Sequence, residues 1–398
     1  MITRAVERPR APHLSSALIA CAFPIMLLLG GQMLAIYLEK KTIHSTAPQD
    51  FSIKNRGLVF QRAAARQADI LLLYGSSELT DPVHNRASDF FSSEPSGFQV
   101  CPVGSPGTTS LITLQKLGAL GSELRGRRVA ISLSPSSFLT PGVNPFAYAG
   151  NFSLPAASGL LFSDAIDWNL KSQIASRMLQ FPNTLTKGAI LQLAARCLAS
   201  NHPLDRVVFI AIWPLGKLQN AILELQDHFE ALIYILRRGK GGPRHWLESL
   251  NLHKAPPTDK RSVHTDGSRS AWSLGQSPYL LGSTDPVRDA AFRARIATAS
   301  EWMDLELLLR TLAKLEAHPL ILSLPIDGTL YDTKGVSRST RQAYYDKLSE
   351  LAGRYHFPLI EFEDHDADPG FLIAHREHPT PRGWQYYNRA LDDFFHKP

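Results

Sequence analysis

The sequence predicts an α/β domain with a parallel sheet, attached to a single N-terminal transmembrane helix. Short apolar runs that end at turn residues alternate with stretches of helical character. This alternation is typical of a parallel sheet covered by helices on both faces. Near the N-terminus, Leu14–Tyr37 is apolar and uncharged, and about 20 such residues cross a bilayer as a helix.

Leu14–Tyr37 is predicted to be an uncleaved anchor that follows a cytoplasmic tail, residues 1–13. Three arginines precede it, and this small excess of positive charge favours a cytoplasmic N-terminus. A cleaved signal peptide is the alternative, although the run is longer than a usual signal core and no clear cleavage site follows. Either way, the rest of the chain lies outside the cytoplasmic membrane.

The extracytoplasmic part begins with a stalk and first helix, residues 38–66, and continues as one domain, residues 67–398. Its strands are nearly continuous apolar runs, as expected of strands buried on both faces. The predicted strands are Asp69–Tyr74, Phe98–Val103, Arg128–Leu133, Leu320–Leu324 and Pro358–Phe362. The predicted helices include Thr109–Gly121, Glu301–Glu316, Arg338–Tyr355 and Gly383–Phe395.

A helical insertion is predicted at about residues 150–300, where the alternation stops. Leu218–Arg238 has helical character, and Ala255–Gln276 is a long polar loop by composition. Val207–Leu215 is apolar but too short to span a bilayer and is interrupted by Pro214. We expect it to be a buried strand or a short helix.

Charge and cysteine content restrict the partners. The net charge of +6 suits an anionic envelope polymer or a membrane surface. Basic residues are not interleaved with aromatics in a stripe, so nucleic acid is not an expected partner. Cys21, Cys101 and Cys197 do not stand at metal-binding spacing, and nucleotide-binding fingerprints are missing. We therefore predict no metal and no cofactor.

Ser77 is the candidate nucleophile. It stands in Gly75-Ser76-Ser77-Glu78-Leu79, directly after the first strand, and ligands of open parallel sheets bind at the carboxyl ends of strands. Glu78 would begin a helix, whose N-terminus favours developing negative charge. The alternative is that the serines only cap this helix.

His378, just before the last helix, is the candidate base. A serine hydroxyl needs a nearby base to act as a nucleophile, and the pKa of histidine suits that role. The chain has 14 histidines, so the setting of this residue distinguishes it rather than its type.

Gly107 stands between the second strand and its helix and is the candidate oxyanion donor. An ordinary strand-to-helix turn is the alternative for Gly107.

Taken in order, these motifs resemble the SGNH hydrolase superfamily and, more narrowly, the DltD family of D-alanyl transfer proteins. The block at 75–79 stands where the superfamily has its nucleophile. Leu324–Asp332 is similar to the family's Pro-x-Asn-Gly segment that ends in Tyr-Asp, and His378 precedes Gly383-Trp384 at the family's spacing. The resemblance implies a flavodoxin-like three-layer sheet with Ser77 as nucleophile and His378 as base.

Two departures from the family pattern leave parts of the site unassigned. The family usually has an aspartate three positions before the histidine, and here that position is His375. The candidates for the orienting acid are Asp366, Asp368 and Glu377. Ser134–Ser137 stands where the superfamily's Gly-x-Asn-Asp block should fall, so the second oxyanion donor is also unassigned.

We expect an acyltransferase that passes D-alanyl, or a similar acyl group, to a hydroxyl of an envelope polymer such as teichoic acid or a Gram-negative counterpart. The resemblance implies two partners, a membrane-bound O-acyltransferase and an acyl carrier pathway. An envelope esterase or thioesterase would use the same residues. A non-catalytic scaffold that binds polymer or carrier is the third possibility.

Overall fold

The central sheet confirms the predicted fold class. The structure, a computed structural model, describes residues 12–94, 96–238, 284–373 and 377–397. Within them, five parallel strands are ordered β2-β1-β3-β4-β5, as in flavodoxin-like sheets. The strands are β1 (Ile70–Gly75), β2 (Gln99–Gly104), β3 (Arg128–Leu133), β4 (His318–Ser323) and β5 (Leu359–Glu361). Each matches a predicted strand to within two residues at either end.

Helices surround the sheet and form the long connection between β3 and β4. Those that precede or follow the first three strands are α1 (Pro12–Thr46), α2 (Ser52–Arg56), α3 (Val59–Ala65), α4 (Ala87–Ser93) and α5 (Ser110–Leu120). The β3–β4 connection holds α6 (Pro145–Asn151), α7 (Leu154–Leu161), α8 (Trp168–Met178), α9 (Pro182–Leu185), α10 (Ala189–Ala199), α11 (Pro203–Arg238), α12 (Pro286–Thr298) and α13 (Glu301–Lys314). The last are α14 (Gly328–Thr333), α15 (Arg338–Arg354) and α16 (Pro381–His396).

β1 is buried on both faces of the sheet, and its successive side chains point to opposite sides. Leu72 and Tyr74 of β1 join the larger core, which includes α3, α5, α13 and α15. Leu71 and Leu73 join the smaller core with α4 and α16. The sheet is therefore the middle of three layers.

The predicted insertion is helical in its described part and shares the larger core. Leu160 and Leu161 of α7 are fully buried in that core, and α7 packs against α5. The insertion therefore extends the layer of helices on one side of the sheet. The predicted polar loop Ala255–Gln276 lies outside the described residues.

The prediction for Val207–Leu215 is wrong, since this run lies inside α11, a helix of 36 residues. Pro214 is within the helix and does not end it. One face of α11 packs on α7, α10 and α1, and this packing supports the helix across the missing proline N–H. Within the described residues, α1 and α11 are the two helices that are long and apolar enough to cross a membrane, by length and composition alone.

α1 contains the predicted anchor and continues beyond it as one helix. Its described residues up to Gly30 are exposed, whereas Ala35, Glu39, Ile43 and Thr46 are buried against the domain. The segment predicted as a stalk, residues 38–66, is formed by the end of α1 followed by α2 and α3. α1 therefore continues from its exposed half into the domain as one helix.

Candidate active site

The carboxyl ends of β1 and β2 approach each other closely where the candidate nucleophile begins. A Cβ on Gly104, the last residue of β2, would lie 2.4 Å from the carbonyl oxygen of Gly75. Side chains are therefore excluded at this position. Ser76 and Ser77 then leave the sheet at its carboxyl edge, where ligands bind in sheets of this kind.

Ser77 begins a single 3₁₀ turn, Ser77–Leu79, rather than the longer helix that we predicted. Ser76 at the N-cap position makes no side-chain capping hydrogen bond. A three-residue turn also lacks the aligned peptide units that would favour a negative charge. Neither of the two uses of a helix N-terminus that we considered is therefore present here.

His378 links Ser77 to Asp81. Ser77 Oγ lies 2.8 Å from His378 Nε2, and His378 Nδ1 lies 2.6 Å from Asp81 Oδ2. The His378 and Asp81 side chains are 17% and 22% exposed, so solvent reaches the site. An imidazole between a hydroxyl and a carboxylate can accept the hydroxyl proton, and the carboxylate stabilises the imidazolium that forms.

Sequence reasoning missed Asp81, although it stands four positions after Ser77. The backbone N–H groups of Thr80 and Asp81 donate to the Ser77 carbonyl at 3.0 and 3.2 Å. This tight turn brings the aspartate to the same side as the serine. The available signal was the Ser-x-x-x-Asp spacing, because residues four apart are neighbours in a helical turn. The family pattern instead directs attention to acids beside the histidine.

The acids that we predicted as candidates to orient the histidine are held by other groups. Asp366 accepts two hydrogen bonds from the Arg341 guanidinium, both at 3.0 Å. Asp368 lies 3.1 Å from the Arg382 guanidinium. Each carboxylate therefore pairs with an arginine, which compensates its charge.

Glu377, the third candidate, attaches the histidine loop to the turn after β3. Its carboxylate accepts hydrogen bonds from Ser134 Oγ and, at 3.0 Å, from Ser136 N. The Ser134–Ser137 segment, where the superfamily's asparagine block was expected, therefore contacts the residue next to His378. His375 lies outside the described residues.

Close packing of α16 explains the spacing from His378 to Gly383-Trp384. Ile373 N donates to the His378 carbonyl at 2.8 Å. A Cβ on Gly383 would lie 2.3 Å from the Phe371 carbonyl oxygen, and Trp384 is buried in the smaller core. Glycine lets the helix start approach the loop, and the tryptophan fixes that approach. The two residues therefore set where the imidazole lies.

Gly107 lies in the loop between β2 and α5, with a positive φ of 78°. A Cβ there would lie 2.8 Å from Ala147 Cβ on α6, and Asn151 Nδ2 of the same helix donates to Pro106 O at 3.0 Å. Within the part of the chain that the structure describes, the Gly107 N–H donates no hydrogen bond. Its role as an oxyanion donor stays a prediction.

Glu78 is buried beneath the 3₁₀ turn. Its Oε1 accepts a hydrogen bond from Ser76 N at 2.9 Å, and a Cβ on Gly75 would lie 2.2 Å from the same oxygen. Burial raises the pKa of Glu78, while this hydrogen bond opposes the rise. The carboxyl group thus supports the backbone just before Ser77, and glycine at position 75 leaves room for it.

A groove of about 500 Å³ opens beside the turn. Thr80, whose hydroxyl donates to Ser77 O at 3.0 Å, forms part of its lining. Asp50 and Arg56 contribute charge to the groove, and Phe146 lies at its exposed side. The groove therefore offers both signs of charge and an apolar surface, and Thr80 connects it to the turn that bears the serine.

Comparisons with known proteins show the family of the chain. The family model described as DltD protein matches residues 49–396. The chain is 25% identical to Protein DltD of Bacillus subtilis (strain 168), over 85% of this chain and 86% of that protein. It is 22% identical to Protein DltD of Staphylococcus aureus (strain NCTC 8325 / PS 47), over 96% of this chain and 95% of that protein. Because the family model spans the whole parallel sheet together with both halves of the Ser77–His378 contact, the chain belongs to the DltD family.

Proposed function

We propose that this protein is a membrane-anchored, extracytoplasmic serine acyltransferase that passes a D-alanyl or similar acyl group to a hydroxyl of an anionic envelope polymer. The observation that carries the proposal is the series of contacts from Ser77 Oγ through His378 to Asp81. The resemblance to D-alanyl transfer proteins supports D-alanine as the acyl group. Teichoic acid, or a Gram-negative counterpart, is the acceptor class that the resemblance implies.

In the first step, an acyl thioester or ester is the donor. His378 Nε2 takes the hydroxyl proton while Ser77 Oγ attacks the carbonyl carbon. The negative charge on the former carbonyl oxygen is stabilised by backbone N–H donors, for which Gly107 is the candidate. When the tetrahedral intermediate collapses, the bond to the leaving group breaks and the leaving group takes the proton from His378. Asp81 stabilises the imidazolium in between.

In the second step, the acceptor hydroxyl replaces the leaving group. His378 removes the proton of that hydroxyl, the acceptor oxygen attacks the acyl carbon, and Ser77 recovers its proton as the ester bond to it breaks. A D-alanyl ester carries an ammonium group, so each transfer lowers the net negative charge of the polymer. The net charge of +6 supports an anionic acceptor.

The groove beside Thr80 is the proposed binding site of the acceptor. Arg56 would face a phosphate or another anionic group of the polymer, and Asp50 would attract an ammonium. Both groups line the same groove as Ser105, at the edge of the sheet where the nucleophile lies.

The membrane location and the partners belong to the same proposal. α1 is long and apolar enough to span a bilayer, and the arginines before it favour a cytoplasmic N-terminus. The expected partner is a membrane-bound O-acyltransferase that delivers the acyl group from its carrier. Copurification of such a protein with the full chain would support the expected partner. The orientation is tested with a reporter enzyme that works only in the cytoplasm, fused after Pro398; activity of this reporter would contradict the proposed orientation.

The catalytic proposal is tested with a fluorophosphonate, which labels activated serines. The wild-type protein and the neighbouring control Ser76→Ala are expected to be labelled, whereas Ser77→Ala is not. In cells, Ser77→Ala should abolish envelope D-alanylation at unchanged protein level. Unchanged D-alanylation would instead favour a non-catalytic scaffold.

An esterase or thioesterase is the second candidate, because the partly exposed histidine and aspartate leave the acyl-enzyme open to water. Product fate distinguishes the two reactions. If the purified full chain, given acyl donor and polymer, yields only free acid, the transferase proposal fails. Acylated polymer that depends on Ser77 supports it.

A further inference from the structure

α11 has one face buried in the domain along most of its length. Phe209 stacks with Phe162 at 5.7 Å between ring centroids. A Cβ on Gly216 would lie 2.2 Å from the Phe162 ring, so the helix and the domain touch there. Further along, Glu224 forms an ion pair with Arg62 at 2.7 Å. The opposite side of α11 is exposed.

The outward side of α11 carries a row of exposed apolar residues, which we call the outward stripe. Its spacing follows the helical repeat, so the residues share one face. The stripe consists of Leu204, Val207, Leu215, Leu218 and Ile222, which are 65%, 62%, 52%, 58% and 58% exposed. An apolar face of this length is unusual on a surface that meets water.

The C-terminal end of the outward stripe is in contact with α1. Phe229 extends the same face, since it follows Ile222 by two helical turns, and a Cβ on Gly31 of α1 would lie 2.8 Å from its ring. Glu39 of α1 lies 2.8 Å from His228 of α11. α1 therefore covers the C-terminal end of the stripe, and the uncovered part begins where the exposed half of α1 leaves the domain.

Basic side chains of α11 lie over tryptophan rings on the side of the helix that packs on the domain. Arg206 lies over the Trp168 ring at 5.1 Å, and Lys217 lies over the Trp213 ring at 4.8 Å. Both tryptophans are half-buried. These contacts help to hold α11 on the domain and leave the outward stripe on the opposite side of the helix.

Resting on the proposed membrane location, we propose that the outward stripe of α11 inserts into the extracytoplasmic leaflet beside α1. The occupant of the stripe is lipid, because the stripe is contiguous with an anchor that is itself surrounded by lipid. Two helices then hold the domain on the membrane in one orientation.

α11 is connected to the active site by hydrogen bonds and packing. Asp227 of α11 accepts hydrogen bonds from Leu58 N at 2.6 Å and Val59 N at 3.0 Å, at the start of α3. α3 packs on β1, and the turn that bears Ser77 follows β1 directly. The height of the nucleophile above the bilayer is therefore set by α11 as well as by α1.

Lipid contact is tested with single labelling sites in the full chain. Cys21→Ser removes the exposed cysteine, and the two other cysteines are buried. Leu215→Cys and Leu218→Cys report on the stripe. Met33→Cys, on the exposed side of α1, is the positive control, and Glu350→Cys, on the exposed face of α15, is the negative control.

Each variant is labelled with an environment-sensitive fluorophore and reconstituted in phosphatidylethanolamine–phosphatidylglycerol vesicles with and without doxyl-labelled lipid. We expect doxyl lipid to quench the label strongly at positions 33, 215 and 218, and not at position 350. Quenching at position 33 without quenching at 215 and 218 would overturn the proposal. Excimer emission from pyrene at position 215, in the absence of quenching, would assign the stripe to a second copy of the chain and would equally overturn it.

The same samples separate this inference from the proposed function. Fluorophosphonate labelling of Ser77 reports the active site independently of the membrane contact. No quenching at position 33 would contradict the membrane anchor itself, whereas unquenched 215 and 218 with intact labelling would contradict only the role of the stripe.

Discussion

Removing the carboxylate of Asp81 is expected to slow the reaction of Ser77 without unfolding the protein. The reason is that His378 becomes positively charged when it takes the hydroxyl proton, and Asp81 stabilises that charge through a contact of 2.6 Å. Asp81→Asn keeps the shape and removes the charge, and Asp81→Ala removes both.

The size of the effect follows from the geometry. Unit charges whose centres are about 4 Å apart attract each other by about 4 kcal/mol at an effective dielectric constant of about 20. Because both side chains are partly exposed, solvent reduces this attraction to about 2–3 kcal/mol. A loss of this size corresponds to a rate lower by roughly 30- to 150-fold.

The assay is the second-order rate of fluorophosphonate labelling of the purified full chain. Ser77→Ala gives the background, and denaturant unfolding verifies that each variant is folded. Asp368→Asn is the matched control. It removes a carboxylate near the same loop, but this carboxylate pairs with Arg382 and not with His378. Labelling of Asp81→Ala at the wild-type rate would refute the assignment, as would an equal loss in Asp368→Asn.

Three further variants test the histidine loop, a buried carboxyl group and the glycine loop after β2. Glu377→Gln should slow labelling by roughly fivefold, since it weakens hydrogen bonds worth about 1 kcal/mol that hold the histidine loop; an unchanged rate would contradict this. Burial raises the pKa of Glu301 to about 7. Between about pH 4.5 and 7 the folded protein therefore keeps a proton that the unfolded chain has lost, and the free energy of unfolding falls as the pH rises through this window. Glu301→Gln should therefore raise the unfolding free energy at pH 8 by up to about 3 kcal/mol and not at pH 4, while the exposed control Glu350→Gln should show no such difference in denaturant unfolding. Gly107→Ala should lose about 1–2 kcal/mol of stability because of its positive φ, and should also slow labelling; Gly126→Ala, with φ of 65° and open space for a methyl group, should share only the loss of stability.

Local patterns were sufficient for the sheet. β1 to β4 are mostly buried apolar runs ended by a polar or turn residue, and this signal depends only on neighbours in sequence. The run Val207–Leu215 produced the same signal with a different outcome. A helix that has apolar residues on both its packed side and its outward side gives a similar apolar run. A short stretch of sequence cannot distinguish such a helix from a buried strand.

The sequence by itself determined the α/β class, the long apolar N-terminal helix, and Ser77 and His378 as candidates, because each rests on a short motif or a composition. Only the tertiary structure decided which acid meets the histidine. Asp81, Asp366, Asp368 and Glu377 are chemically alike, and their roles depend on which cation or N–H donor lies nearest. That depends on how a turn after β1 and a loop before α16, some 300 residues apart, are brought together by packing on one sheet edge. A hydrogen bond is effective only at about 3 Å, and no pattern along the chain specifies distance at that scale.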